Sequence, residues 1–177
     1  MSGFTHRIAT RDDLPALEAL IDAAITELQH PFLTPAQVEA SRAIMGLDTQ
    51  LVEDGTYFII ERDGAMAGCG GWSRRATLFG GDHFPGRSAT LLDPATEAAR
   101  VRAMYTHPRF VRQGVGRLVL ALCEAAARAA GFRAVELMAT RAGEPLYQAS
   151  GYERLEPIEV EVGAVVVPGV RMRKALG

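Results

Sequence analysis

The sequence predicts a mixed α+β fold with the element order βααβββαβαββ. Apolar residues recur at helical spacing in separate segments, and between these segments lie short runs rich in β-branched and aromatic residues. The 177 residues contain no repeat, linker or low-complexity tract, which favours one domain over residues 1–177. Because 48% of the residues are hydrophobic, a chain of this length can bury a core.

Four segments are predicted to be helical. The first follows the capping side chains of Asp12 and Asp13, and the second begins at Thr34-Pro35, a cap followed by proline at the first helical position. The third follows a glycine turn and ends at Gly131. The helices are expected over residues 12–29, 34–45, 114–130 and 143–149.

Seven segments are predicted to be strands, with Asp63-Gly64 as the hairpin turn between the second and the third. Gly68 and Gly70 inside the third strand indicate either a β-bulge or a close approach by another part of the chain. Residues 46–55 are expected to be a connector, and residues 74–97 a long irregular excursion. The strands are expected over residues 4–9, 56–62, 65–74, 99–106, 134–139, 152–162 and 165–172.

Composition and charge exclude several classes of protein. A net charge of −2 and a pI near 6.1 argue against a nucleic-acid-binding face. The sequence has no signal-peptide core and no apolar run near the length of a membrane span, so we expect a cytoplasmic protein without a membrane partner. Cys69 and Cys123 are expected to be reduced, buried thiols, and the histidines have no metal-ligand spacing, so no metal is expected.

The turn over Val111–Arg117, between the fourth strand and the third helix, is predicted to bind an anion. Backbone N–H groups at a helix N-terminus are unpaired and lie at the positive end of the helix dipole. Gly114 and Gly116 let the main chain approach an anion closely, and Arg112 and Arg117 add positive charge. The turn matches neither the nucleoside-triphosphate motif nor the dinucleotide motif, so another phosphorylated cofactor is favoured.

Three motifs in order resemble the GNAT superfamily of acyl-CoA-dependent N-acyltransferases, and the resemblance extends over nearly the whole chain. The turn Val111–Gly116 is similar to the family pattern (Q/R)-x-x-G-x-(G/A), with valine at the first position as a departure. Leu146–Tyr152 is similar to L-Y-x-x-x-G-(F/Y), and Met104–Pro108 directly precedes the turn. The resemblance implies a sheet whose fourth and fifth strands splay apart to admit the pantetheine arm of acetyl-CoA.

The resemblance also implies a role for each matching residue. Main-chain groups of residues 104–106 would pair with pantetheine, while the side chains of Met104 and Tyr105 are expected to pack in the core. The turn would hold the pyrophosphate, and the phenol of Tyr147 would donate a proton to the departing CoA thiolate. Tyr152 is expected to be a core aromatic. The residues expected to bind acetyl-CoA are Met104, Tyr105, Thr106, Arg112, Gln113, Gly114, Val115, Gly116 and Arg117.

The resemblance leaves the general base open, because the fourth strand carries Arg100 and Arg102 but no acid. A water chain without a dedicated base is one alternative. The side chains considered as bases are Glu97, Asp82, His83 and Glu136.

The acceptor is also open, and is expected to be a small amine, an amino acid, an aminoglycoside-like compound or a protein amine. Residues 31–45 and 74–97 are expected to shape its pocket. A homodimer is plausible, with Val165–Val167 either an exposed edge or a buried strand. Two other functions are weighed against acetyl transfer: a non-catalytic acyl-CoA-binding or sensing domain on the same fold, and a nucleotide-binding module.

Overall fold

The computed structural model describes residues 3–177 as a seven-stranded mixed β-sheet with helices on both faces, which confirms the predicted fold class. The strands β1–β7 span Thr5–Ile8, Tyr57–Arg62, Ala65–Ser73, Ala99–Thr106, Ala134–Thr140, Glu153–Val162 and Val165–Ala175. The helices α1–α5 span Leu14–Leu28, Pro35–Ser41, Thr49–Glu53, Val115–Ala129 and Glu144–Ala149.

The prediction of a plain connector over residues 46–55 is wrong, because this segment contains helix α3. Asp48 caps the helix, and its carboxylate accepts a hydrogen bond from the N–H of Leu51 at 3.3 Å. A helix of one turn is too short for apolar periodicity to reveal it. Helix α2 also ends at Ser41 rather than near Met45, and the chain continues from there in turns.

The strands lie in the order β1-β2-β3-β4-β5-β7-β6, and the β4–β5 pair is the parallel one. These two strands pair only through Ala99 with Val135 and Arg100 with Glu136, at their N-terminal ends. Beyond these two pairs the strands diverge, which confirms the splayed fourth and fifth strands. The divergence opens a gap at the C-terminal end of β4, where the chain leads toward the glycine turn.

A β-bulge interrupts β4 just before the gap. The β3–β4 register shifts between Cys69 and Gly71, so that residues 103–104 lie opposite Gly70 alone, and Ala103 has a φ of 55°. A Cβ on Gly70 would lie 2.5 Å from Cγ1 of Val119 in α4. The glycines of β3 therefore mark both a bulge and the close packing of α4 on the sheet.

Two apolar layers cover the faces of the sheet. Helix α4 packs on one face through Val115 and Val119, and α1 packs on the other through Leu17. Cys69 and Cys123 are free and buried, as predicted, and burial raises the pKa of Cys69 to about 12. Both thiols are therefore poor candidates for an acyl-enzyme nucleophile. Within residues 3–177, the longest apolar helix falls short of a membrane span.

The run Val165–Val167 pairs with β6 on one side only; Val166 is 40% exposed, whereas Val167 is buried. Strand β7 pairs with β6 on one side and, from Gly169 onward, with β5 on the other. On the open side of the valine run, Gln37 of α2 donates a hydrogen bond to the carbonyl oxygen of Val166 at 3.1 Å. The edge strand at this end of the sheet is β6, which is largely exposed.

Substitution of Gly70 by alanine should destabilise the fold by about 1–3 kcal/mol, because the new methyl group overpacks the contact between α4 and the β4 bulge. Urea unfolding measures this change in the free energy of unfolding. Gly86→Ala is the control, since that glycine is exposed and its new Cβ would meet the ring of Phe84 in a loop rather than a helix packed on the sheet. Equal losses in both variants would contradict the close packing at Gly70.

Candidate active site

A cleft of about 910 Å³ occupies the gap between β4 and β5. One side is built from the end of β4, the turn before α4, and helix α5; the other from the end of α1 and from residues 44–46 and 78–81. Of the residues predicted to form the site, all but Gln113 line the cleft. Those that line it are Met104, Tyr105, Thr106, Arg112, Gly114, Val115, Gly116, Arg117 and Tyr147.

The glycine turn presents the N-terminus of α4 to this cleft. Arg112 and Gly114 have φ values of 58° and 90°, and this left-handed backbone turns the chain sharply into the helix. The first intrahelical hydrogen bond runs from the N–H of Leu118 to the carbonyl of Gly114 at 3.0 Å. The N–H groups of residues 115–117 precede it and have no carbonyl within the helix to pair with, so they can bind an anion together with the helix dipole.

The two glycines of the turn serve different purposes. A Cβ on Gly114 would meet nothing within 4 Å, so the space in front of the helix is open. A Cβ on Gly116 would lie 2.6 Å from Cδ2 of Leu146 in α5. The second glycine is thus required by the packing of α5 on α4, a role that the sequence pattern alone does not reveal.

The side chain of Gln113 braces the turn from outside the cleft. Its Oε1 accepts a hydrogen bond from Nη2 of Arg62 at 2.6 Å, and its Nε2 donates to the carbonyl of Arg109 at 3.2 Å. The amide is therefore occupied within the protein. This geometry gives the side chain a positioning role in the turn.

Tyr147 reaches from α5 across the gap toward β4. Its hydroxyl donates to Sδ of Met104 at 3.7 Å, and its ring packs edge-on against Tyr152 at 5.9 Å between centroids. Burial raises the pKa of Tyr147 to about 12, so the phenol stays protonated at neutral pH. Because sulfur is a weak acceptor, this hydroxyl remains available to a better one. Tyr152 is a core aromatic, as predicted, and donates to Glu124 at 3.1 Å.

The side chains of Met104 and Tyr105 pack, as expected, on opposite faces of the sheet. The hydroxyl of Tyr105 also accepts a hydrogen bond from the N–H of Gly46 at 3.2 Å. This bond fastens residues 44–46, which form one wall of the cleft, to β4. Burial raises the pKa of Tyr105, so its hydroxyl remains neutral.

A buried cluster of charges lies at the base of this second wall. Nε of Arg102 donates to Oδ2 of Asp48 at 2.6 Å, and Nη2 of Arg87 donates to Oδ1 at 3.1 Å. Burial alone would raise the pKa of Asp48, but the two guanidinium groups together lower it below its usual value. No local sequence pattern indicates this cluster, because 54 positions separate Arg102 from Asp48.

None of the four side chains considered as general bases lines the cleft. Asp82, His83 and Glu97 are exposed outside it. Glu136 is buried next to Arg100 and Arg171, which contact its Oε2 at 2.7 Å each. Burial would raise the pKa of Glu136, but these arginines lower it, which makes it a weaker base.

Among residues 3–177, the one carboxylate that lines the cleft belongs to Glu27. It lies in the last turn of α1 and is exposed. No sequence pattern singles out this residue, because an exposed glutamate on an amphipathic helix looks like any other solvated side chain. Only the packing of α1 against the sheet brings it to the cleft.

The chain belongs to the acetyltransferase (GNAT) family, whose sequence model matches residues 17–152. This match, together with the splayed sheet, confirms the resemblance stated from the three motifs. No curated protein sequence matches the chain.

Solved structures of N-acetyltransferases share the whole fold at low sequence identity. A GCN5-related N-acetyltransferase from Rhodopseudomonas palustris is 20% identical, with a TM-score of 0.73 over 99% of this chain and 97% of that one. The PaiA N-acetyltransferase of Thermoplasma acidophilum, solved with coenzyme A, is 12% identical, with a TM-score of 0.66 over 97% and 98%. The ribosomal-protein-S18-alanine N-acetyltransferase of Escherichia coli is 16% identical, with a TM-score of 0.60 over 98% and 94%.

Substitution of Gly114 by aspartate should weaken acetyl-CoA binding about tenfold or more relative to substitution by asparagine, because only aspartate places a negative charge at the anion site. The two side chains have the same shape, both tolerate the left-handed backbone, and both can cap the helix. Titration calorimetry with acetyl-CoA measures the difference. Equal affinities in the two variants would contradict a pyrophosphate site at this turn.

Proposed function

We propose that this protein is an N-acetyltransferase that transfers the acetyl group of acetyl-CoA to a primary amine by direct attack within a ternary complex. The observation that carries this proposal is a single cleft that contains both the N-terminus of α4 and the hydroxyl of Tyr147. The structural relative from T. acidophilum was solved with coenzyme A, which supports the choice of cofactor.

The cofactor would lie along β4 and across the turn. The N–H groups of residues 115–117 would bind the pyrophosphate, and Arg112 and Arg117 would add positive charge. The pantetheine amides would pair with main-chain groups of residues 104–106 as a short extra strand, because β5 has already diverged from β4 there.

The chemistry follows from this placement. The neutral amine nitrogen attacks the thioester carbon, and a main-chain N–H of the β4 bulge at residues 103–104 would stabilise the oxyanion. The C–S bond then breaks, the sulfur takes the phenolic proton of Tyr147, and the phenolate regains a proton from water. The proton that the amine must lose passes to water or to Glu27, the carboxylate on the cleft wall.

We also propose that the enzyme acts in the cytoplasm on a small-molecule amine or a protein amine. Its two cysteines are free and buried, which suits a reducing compartment. The acceptor would enter between residues 44–46 and residues 78–81, on the side of the cleft away from the turn.

The function is tested by incubating the full chain with acetyl-CoA and a panel of primary amines while CoA thiol release is followed. We expect steady turnover with at least one amine and the N-acetylated product by mass spectrometry. Acetyl-CoA binding without turnover on any amine would instead support a non-catalytic acyl-CoA-binding domain. Absence of acetyl-CoA binding would overturn both functions.

Tyr147→Phe should lower kcat about a hundredfold while the acetyl-CoA Kd stays unchanged, because the variant loses only the proton donor. With a pKa of about 12, the wild-type phenol stays protonated, so we expect no decline in kcat from this group between about pH 7 and pH 10. Steady-state rates over that range and calorimetry test both expectations. An unchanged kcat in the variant would exclude Tyr147 as the acid.

A further inference from the structure

We infer that Arg102 binds a carboxylate of the acceptor, so that the enzyme acts on amines that also carry an acid group, as amino acids do. This inference rests on the proposed acetyl transfer and names the substrate class of the same cleft. It starts from one atom: Nη2 of Arg102 is buried and has no hydrogen-bond partner among the described residues.

The other guanidinium nitrogens of Arg102, and the carboxylate of Asp48, already have hydrogen-bond partners within the protein. Its Nε donates to Oδ2 of Asp48, and its Nη1 donates to the carbonyl of Thr77 at 3.1 Å. Each carboxylate oxygen of Asp48 already accepts two hydrogen bonds, because Arg87 and the N–H of Leu51 donate to it in addition to Arg102. A buried guanidinium N–H without an acceptor is costly, so this atom is well suited to a ligand that brings one.

The charge of the cluster also favours an anion. Asp48 is 1% exposed and Arg102 is 3% exposed, and with Arg87 they carry a net charge of +1. The nearby Asp54 is neutralised by Arg75, whose Nε lies 2.8 Å from its Oδ2. A carboxylate at Nη2 would therefore neutralise a buried positive charge and would form a charge-assisted hydrogen bond.

The position of Arg102 on β4 favours the acceptor over the cofactor phosphates as the source of that anion. The turn that would hold the pyrophosphate follows the C-terminal end of β4, whereas Arg102 precedes the bulge at residues 103–104. The bulge, where the thioester would react, thus separates the two positive sites. An acceptor with its amine at the bulge and its carboxylate at Arg102 would be a short amino acid or a related compound.

Arg102 lines the cleft, and its guanidinium donates a hydrogen bond to the carbonyl of Thr77. The wall formed by residues 78–81 begins directly after Thr77. Because Nη2 is covered, the carboxylate must part this wall from β4 to reach the atom. Arg102→Lys would keep a positive charge beside Asp48 but would lose both Nη2 and the hydrogen bond from Nη1 to Thr77. The ratio of the rates on an acid and on its amide therefore reports carboxylate binding, because a general disturbance of the cluster would lower both rates.

The test compares amino acids with their own primary amides as acceptors, with acetyl-CoA as the donor and rates corrected for the fraction of neutral amine. We expect the wild type to prefer the acid by about tenfold or more in kcat/KM, and Arg102→Lys to lose that preference, so that its kcat/KM values on an acid and on its amide become equal. Arg87→Lys is the matched control, because Arg87 contacts the same Asp48 but does not line the cleft. It should keep the preference.

Several outcomes would overturn the inference. They are equal use of acid and amide by the wild type, an unchanged preference in Arg102→Lys, and an equal loss in Arg87→Lys. A gain with succinyl-CoA over acetyl-CoA that Arg102→Lys abolishes would instead place the carboxylate on the acyl donor. Thermal unfolding and acetyl-CoA calorimetry verify that each variant is folded. Turnover of amines without any preference for acids would contradict this inference alone, whereas absence of turnover would contradict the proposed function.

Discussion

The early end of the β4–β5 pairing is the constraint on which the rest of the site depends. Backbone groups in a sheet are normally paired with a neighbouring strand, but β4 loses β5 after Arg100. The bulge at residues 103–104 and the glycine at position 70 let α4 pack closely under β4 at this point. As a result, the unpaired edge of β4 and the N-terminus of α4 face the same cleft, and both can bind an extended phosphorylated cofactor.

The two sides of the cleft rely on different interactions. The side at the turn is built from backbone N–H groups, a helix dipole and exposed arginines, which suit a flexible anionic cofactor. The opposite side is held by buried polar contacts, namely the hydroxyl of Tyr105 on Gly46 and the carboxylate of Asp48 between Arg87 and Arg102. These contacts fix the second wall relative to β4, and the cluster of Arg87, Asp48 and Arg102 carries a net charge of +1.

Features that depend on local sequence could be predicted. The strands and the two long helices have clear periodicity, and their predicted bounds lie within a few residues of those observed. The turn over residues 111–116 and Tyr147 lie in short motifs with fixed spacing, and the fold brings both to the cleft. Helix α3 was missed because one turn carries too few residues for a period. The anion site predicted at Gly116 remains a prediction, and the structure shows a further need for glycine there, because a side chain would meet Leu146.

By itself, the sequence determined the fold class, the family and the position of the glycine turn before α4, because each depends on periodicity or on residues close together in the chain. Only the tertiary structure decided which charged groups reach the cleft. Glu27 reaches it and the four side chains considered as bases do not, and Asp48 meets Arg102 from 54 positions away. Such long-range contacts are set by how helices and loops pack on the sheet, and no local pattern encodes that packing.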